Sequence, residues 1–263
     1  MEQPKASLQE IRGSKRLAEQ TIPSCARVES EVVWERLPPL QTDPRVIARS
    51  RIITASRLNP AHAPFDIMRT KLLQQLQQNN WTSVAITSPT PGCGKTFVAL
   101  NLAFSLSNQK ECRTLLLDLD LKRPQVGEML GIQAPTSIEN FLKGESEIED
   151  VFLRHNDNLA IAANQQVAAF PAELLQSRET ARVLEELRQS MRPDVILFDM
   201  PAMLSNDDVI AFLPNVDCVI LVAAAEHSTL AEVDICEQEL SEMTNVLGVV
   251  LNKCRFGPEK CGY

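Results

Sequence analysis

The strongest constraint on the fold is a set of short, unbroken apolar runs: Val84-Ala-Ile86, Thr114-Leu-Leu-Leu-Asp118, Val195-Ile-Leu-Phe-Asp199, Cys218-Val-Ile-Leu-Val222 and Leu247-Gly-Val-Val-Leu251. A strand with one wet face alternates apolar and polar residues, whereas these runs do not alternate. Such strands are covered on both faces, as in a parallel sheet. Asn158-Leu-Ala-Ile-Ala162 predicts one more strand. Helical stretches fall between the runs. Apolar residues recur from Phe65 through Met68, Leu72 and Leu76, ending at Asn79-Asn80, and a second helix, opened by Lys95-Thr96, runs to about Ser107. Thr136-Ser-Ile-Glu139 and Thr229-Leu-Ala-Glu232 have capping-box spacing. The first opens a short helix stopping at Gly144, and the second opens one carrying Leu230, Val233, Leu240 and Met243. Pro171 starts a long helix, Ala172 to about Gln189. Alternation of this kind predicts an α/β fold, doubly wound with a mainly parallel sheet; the Gly94-Lys-Thr96 turn after the first strand makes it the P-loop type.

The turn after the first strand, Ser88-Pro-Thr-Pro-Gly-Cys-Gly-Lys-Thr96, carries the chemistry. A strand, a loop with two glycines, then Lys-Thr opening an apolar helix predicts a phosphate cradle of backbone N–H groups at a helix N-terminus. Pro91, Gly92, Cys93, Gly94, Lys95, Thr96 and Phe97 are the expected nucleotide contacts. Lys95 would reach the β- and γ-phosphates, and the Thr96 hydroxyl would ligate Mg²⁺. The strict pattern Gly-x4-Gly-Lys-[Ser/Thr] fails at its first position, which is Pro89.

Ligands of doubly wound sheets bind beyond the carboxyl ends of the strands. Asp118 and Asp120 follow one strand and Asp199 another. A magnesium nucleotide requires hard carboxylate oxygens, and phosphoryl transfer requires an oriented acceptor. Three carboxylates beside a Gly-Lys-Thr loop supply groups of that kind; a lone aspartate would read as a turn residue or cap.

Charge and composition bound the partners. The 263 residues carry a net charge of −8. Residues 1–60 have a balance of +3 and the rest −11, so the body is acidic and nucleic acid is not expected as a partner. Prolines at 4, 23, 38, 39, 44 and 60 without extended periodicity predict a flexible leader over 1–60. Trp34, Val46-Ile47 and Ile52-Ile53 are apolar islands in it, expected to dock on the body. A catalytic domain over 61–255 and a mobile tail over 256–263 complete the expected organisation. Seven scattered cysteines without Cys-x-x-Cys spacing point to reduced thiols. Cys93, inside the loop, is the one expected to be redox-sensitive, because local N–H dipoles favour its thiolate. No run of 18 apolar residues and no signal peptide is present, so no membrane span is expected.

Together the motifs resemble a family. In order they are Ser88-x-x-Pro-Gly-x-Gly-Lys-Thr96, Leu115-Leu-Leu-Asp-x-Asp120 with a basic pair and Pro124, Pro171-Ala-Glu-Leu-Leu175, Ile196-Leu-Phe-Asp-x-Pro201 and Gly248-Val-Val-Leu-Asn252. This series resembles the cytoplasmic domain of bacterial tyrosine kinases of capsule and exopolysaccharide export, over about residues 63–255. The resemblance implies ATP and Mg²⁺ as ligands, with catalysis by Lys95, Asp118 and Asp120. It places Thr96, Asp118 and Asp199 at the metal and Asn252 at the adenine. It further implies a nucleotide-dependent homo-oligomer at the inner face of the membrane, held there by a membrane-anchored polysaccharide chain-length regulator.

Three departures accompany it. Lys122 stands where the family has arginine, so the charge is kept without the planar fork. Ala63, Asp66 and Arg69 occupy the places of the Glu-x2-Arg-x2-Arg ring-assembly motif. In place of a terminal tyrosine cluster there is one tyrosine, Tyr263, the expected autophosphorylation site. Two other readings share the fold. One is a ParA/MinD-type ATPase, whose signature lysine would stand at Thr90. The other is a slow nucleotide-gated module for the membrane partner.

Overall fold

The computed structural model describes residues 24–56, 60–132 and 136–254. The chain opens with α1 (Ser24–Arg36), α2 (Pro44–Arg49) and α3 (Ala63–Asn79). The nucleotide-loop unit follows as β1 (Ser83–Ser88), α4 (Lys95–Ser107) and β2 (Thr114–Asp118). Next come α5 (Val126–Leu130), α6 (Ile138–Leu142), α7 (Ile148–Val151), β3 (Phe152–His155) and β4 (Leu159–Ala162). The remainder is α8 (Pro171–Leu175), α9 (Arg178–Met191), β5 (Val195–Ala202), α10 (Asp208–Phe212), β6 (Cys218–Ala224), α11 (Leu230–Met243) and β7 (Asn245–Asn252).

The seven strands form one sheet in the order β3-β4-β2-β5-β1-β6-β7. All pairs are parallel except β3 with β4. Four of the five unbroken apolar runs have the expected cause; the fifth, Leu247–Leu251, lies in the edge strand β7, where Val249 and Leu251 are exposed. Leu115, Leu117, Ile196 and Phe198 enter the core on one face, while Leu116, Val195 and Leu197 enter the core on the other. Helices α8 and α9 cover the first face, and α3 and α4 the second.

Three local expectations are revised, and one strand not read from the sequence is added. The long helix after Pro171 is two helices, because Ser177 breaks it and accepts the Thr180 N–H at 3.0 Å, starting α9 afresh. The cap of α6 is Ser137 rather than Thr136, with the Glu139 N–H at 3.1 Å. The hairpin strand β3 is short and half-polar, Phe-Leu-Arg-His, so it gave no period to read. The leader is packed over its described part. Trp34 is buried, donates from Nε1 to Met191 O at 2.8 Å and lies under the Arg113 guanidinium. Residues 38–40 run beside β3 through Leu40 N to Arg154 O and Arg154 N to Pro38 O, both 2.7 Å. Thr54 then bonds Asn101 on α4. Three buried apolar anchors, Trp34, Leu37 and Ile52, hold a segment whose prolines had suggested a free tail. Among the described residues no helix is long and apolar enough to cross a membrane.

Candidate active site

Parallel pairing brings three strand ends to one place. Asp118 at the end of β2 stands opposite Asp199 on β5, and Asp199 stands opposite Ile86 on β1. The chain leaves β1 into the loop and re-enters as α4, so Lys95 and Thr96 start a helix directly above the carboxylates. Gly92 and Gly94 take φ values of +86° and +92°, which side chains resist. Gly94 is required for space as well: a Cβ there would lie 2.3 Å from Asn252 Nδ2.

Neighbouring strand ends brace the loop. Leu204 N donates to Pro89 O at 3.1 Å, and His227 Nε2 lies 3.2 Å from Pro91 O. Asn252 Nδ2, at the end of β7, donates to Cys93 O at 2.9 Å. The amide expected at an adenine is thus a loop brace in this structure. Phe97 lies in the first turn of α4, and its ring packs edge-on against Phe65 of α3, with centroids 5.8 Å apart. The Cys93 thiol is fully buried, with Sγ 3.3 Å from Ser228 Oγ. Burial against the loop leading into α11 removes it from solvent, which counts against the mild redox sensitivity expected of it.

The electrostatics centre on Lys95. Its Nζ lies 2.9 Å from Asp120 Oδ2. Burial alone would lower its pKa, but the carboxylates of Asp199, Asp120 and Asp118 outweigh that and raise it. Asp118 is pushed well up, first by burial and then by Asp199. Its oxygens are nevertheless occupied: Oδ2 accepts from Gln125 N at 3.1 Å and Val126 N at 3.0 Å, capping α5. Asp199 differs. It is wholly buried, and neither carboxylate oxygen has a donor in hydrogen-bonding geometry. Burial raises its pKa to about 6 against the pull of the Lys95 charge. A buried ionisable group without partners is costly unless something pairs with it.

These residues fit a magnesium nucleotide. Among the described residues no cluster of three or more His, Cys, Asp or Glu is arranged to ligate a metal by itself. Mg²⁺ does not need one, since it is typically held by one or two carboxylates, waters and substrate phosphates. The buried Thr96 hydroxyl and the orphaned Asp199 carboxylate are the donors available for it.

A cleft of about 410 Å³ opens in front of the loop, lined by Gly92, Lys95, Asp120, Lys122, Arg123 and Asn206 among others. Sequence reasoning missed Asp208, whose carboxylate is 1% exposed and takes Lys122 Nζ at 3.0 Å. Burial raises its pKa, and Lys122 offsets part of that rise. Only the acidic start of a five-residue helix signalled it. Of the residues in the ring-assembly positions, Ala63 is exposed, while Asp66 and Arg69 are half-buried against α4. Asp66 binds Arg69 at 2.7 Å and Ser105 Oγ at 2.8 Å. Tyr263 lies outside the described residues.

Residues 82–246 match the family model described as an AAA domain. The chain is 28% identical over 219 residues to the "Putative tyrosine-protein kinase EpsB" of Ralstonia nicotianae, covering 82% of this chain and 29% of that one. It thus spans under a third of that relative's length. It is 29% identical over 194 residues to the tyrosine-protein kinase CpsD of Streptococcus pneumoniae serotype 4, covering 72% of this chain and 83% of CpsD. The crystal structure of the VpsO kinase domain superposes with a TM-score of 0.65 at 31% identity, covering 74% of this chain and 97% of that domain.

Proposed function

The chain belongs to the AAA-domain family and, within it, to the bacterial tyrosine-kinase domains, and on that footing we propose that it is an ATP-dependent protein-tyrosine autokinase. One observation carries the reading. A loop built to hold phosphates opens onto a Lys95–Asp120 pair at 2.9 Å and a buried, unpartnered Asp199 carboxylate. That set provides a phosphate-binding cation, a candidate base and a metal-facing carboxylate within one cleft.

Thr96 and Asp199 would hold Mg²⁺, which when bound would supply positive charge against that developing on the phosphates. Asp118, with its oxygens tied to backbone, adds negative potential rather than a direct ligand. Lys95 leaves Asp120 to reach the β- and γ-phosphates, and this frees the carboxylate. The acceptor phenol oxygen then attacks the γ-phosphorus as the bond to the β,γ-bridging oxygen breaks. The phenolic proton passes to Asp120 and ADP departs. Gly94 and Asn252 keep the loop N–H groups aimed at the phosphates.

The acceptor on this chain is Tyr263, its single tyrosine. The kinase serves exopolysaccharide or capsule polymerisation and export. It works at the inner face of the membrane, as a nucleotide-dependent oligomer held by a membrane-anchored chain-length regulator. Support for this setting comes from the motif resemblance and from the kinase names of its relatives. The test is to incubate the purified chain with Mg-ATP and follow phosphotyrosine and free phosphate. Phosphotyrosine that disappears in Tyr263→Phe is expected. Phosphate release without phosphotyrosine would favour a MinD-type ATPase, and binding without turnover a nucleotide-gated module.

A further inference from the structure

The two adjacent cations on the cleft rim are not equivalent. Lys122 Nζ sits 3.0 Å from the Asp208 carboxylate, so its charge is neutralised within the fold. Arg123 is exposed, lines the same cleft, and its guanidinium makes no ion pair or hydrogen bond among the described residues. Its backbone, by contrast, is fixed. Arg123 N donates to Asp120 Oδ1 at 3.0 Å and lies 3.2 Å from Asp120 O, closing a tight turn on the candidate base. An unpaired fork is therefore anchored one turn from the group that would take the acceptor's proton. The other charged groups lining the cleft are already paired, Lys95 with Asp120 and Lys122 with Asp208. Arg123 carries the only uncompensated side-chain charge among the residues lining that cleft.

We infer that Arg123 selects the acceptor: it favours tyrosines with a carboxylate side chain close by in sequence. This rests on the kinase reading and specifies its substrate class. A guanidinium accepts a carboxylate through two parallel N–H donors, which gives direction as well as charge. The body's net charge outside the leader is −11, so an acidic acceptor would be repelled generally and needs a local cation to approach this mouth. The magnitude is that of a solvent-facing pair, roughly fivefold in kcat/KM between acid-flanked and neutral acceptors. It shrinks with added salt.

The experiment uses three tyrosine peptides identical except for Asp, Ala or Lys beside the tyrosine, with the full chain, Mg-ATP and steady-state transfer rates. The wild type should rank them Asp, Ala, Lys. Arg123→Lys should keep that order with a smaller spread, Arg123→Ala should flatten it, and Arg123→Glu should reverse it. The Kd for Mg-ADP should stay unchanged in all three. An unchanged ranking in Arg123→Glu overturns the inference, as does an equal loss for all peptides together with weaker Mg-ADP binding. A wild type that releases phosphate but labels none of the peptides overturns the kinase reading itself, and this inference with it.

Discussion

Asp199→Asn should make the nucleotide-free protein more stable while removing its response to magnesium nucleotide. The Asp199 carboxyl has a pKa near 6 rather than the ordinary 3.8 because it is fully buried beside other carboxylates. The folded chain therefore keeps its proton up to about pH 6, while the unfolded chain releases it near 3.8. Between those values the folded state binds more protons, so stability falls as pH rises. Above pH 6 the wild type carries the whole penalty. A difference of about two units is on the order of 3 kcal/mol. The asparagine amide is itself buried without ready partners and returns about 1–2 kcal/mol of that. A net gain of about 1–2 kcal/mol corresponds to roughly 3–6 °C in Tm for a chain of this size. Melting curves in chelator at pH 7.5 should show the variant above the wild type, with the gap closing by pH 5. Adding Mg-ADP should raise the wild-type Tm and leave the variant nearly unmoved. A variant no more stable than the wild type at pH 7.5, or a gap that does not depend on pH, would refute the electrostatic reasoning.

Gly94→Ala places a side chain at φ +92° and 2.3 Å from Asn252 Nδ2. It should cost roughly 1–3 kcal/mol of stability and weaken Mg-ADP binding at least about tenfold, as read by calorimetry; Asn252→Ala added to it should recover part of the loss. Trp34→Ala removes a buried ring, the Nε1 bond to Met191 O and the surface under Arg113. Urea titration should show a loss of about 3–5 kcal/mol; a loss near zero would refute the role of Trp34 as an anchor of the leader.

Much of this arrangement could be read in the sequence because its causes are local. Strands covered on both faces leave unbroken runs, and a phosphate loop needs glycines at fixed offsets before Lys-Thr. The Thr229–Glu232 capping box closes as spaced, with both bonds formed. What escaped depends on long-range contacts. Trp34 finds Met191 across 157 positions, and Lys122 finds Asp208 across 86. Nothing within a window of ten residues announces either. The break at Ser177 escaped for another reason. Apolar spacing continues across it, and only the competition of a serine side chain for backbone N–H groups divides the helix. The bond from Asn252 at the end of β7 to Cys93 O on the loop also escaped, because a motif fixes position along the chain and not the atom each side chain meets.

In the proposed reaction this cleft moves a phosphoryl group to a tyrosine, with Asp120 taking the proton. The direct measurement is a single-turnover reaction with γ-labelled ATP, comparing wild type and Asp120→Asn at matched nucleotide saturation. The account predicts label on tyrosine in the wild type and a fall of about 10²–10⁴-fold in the variant, with Mg-ADP still bound. Equal labelling in the two proteins, or label appearing solely as free phosphate, would contradict it.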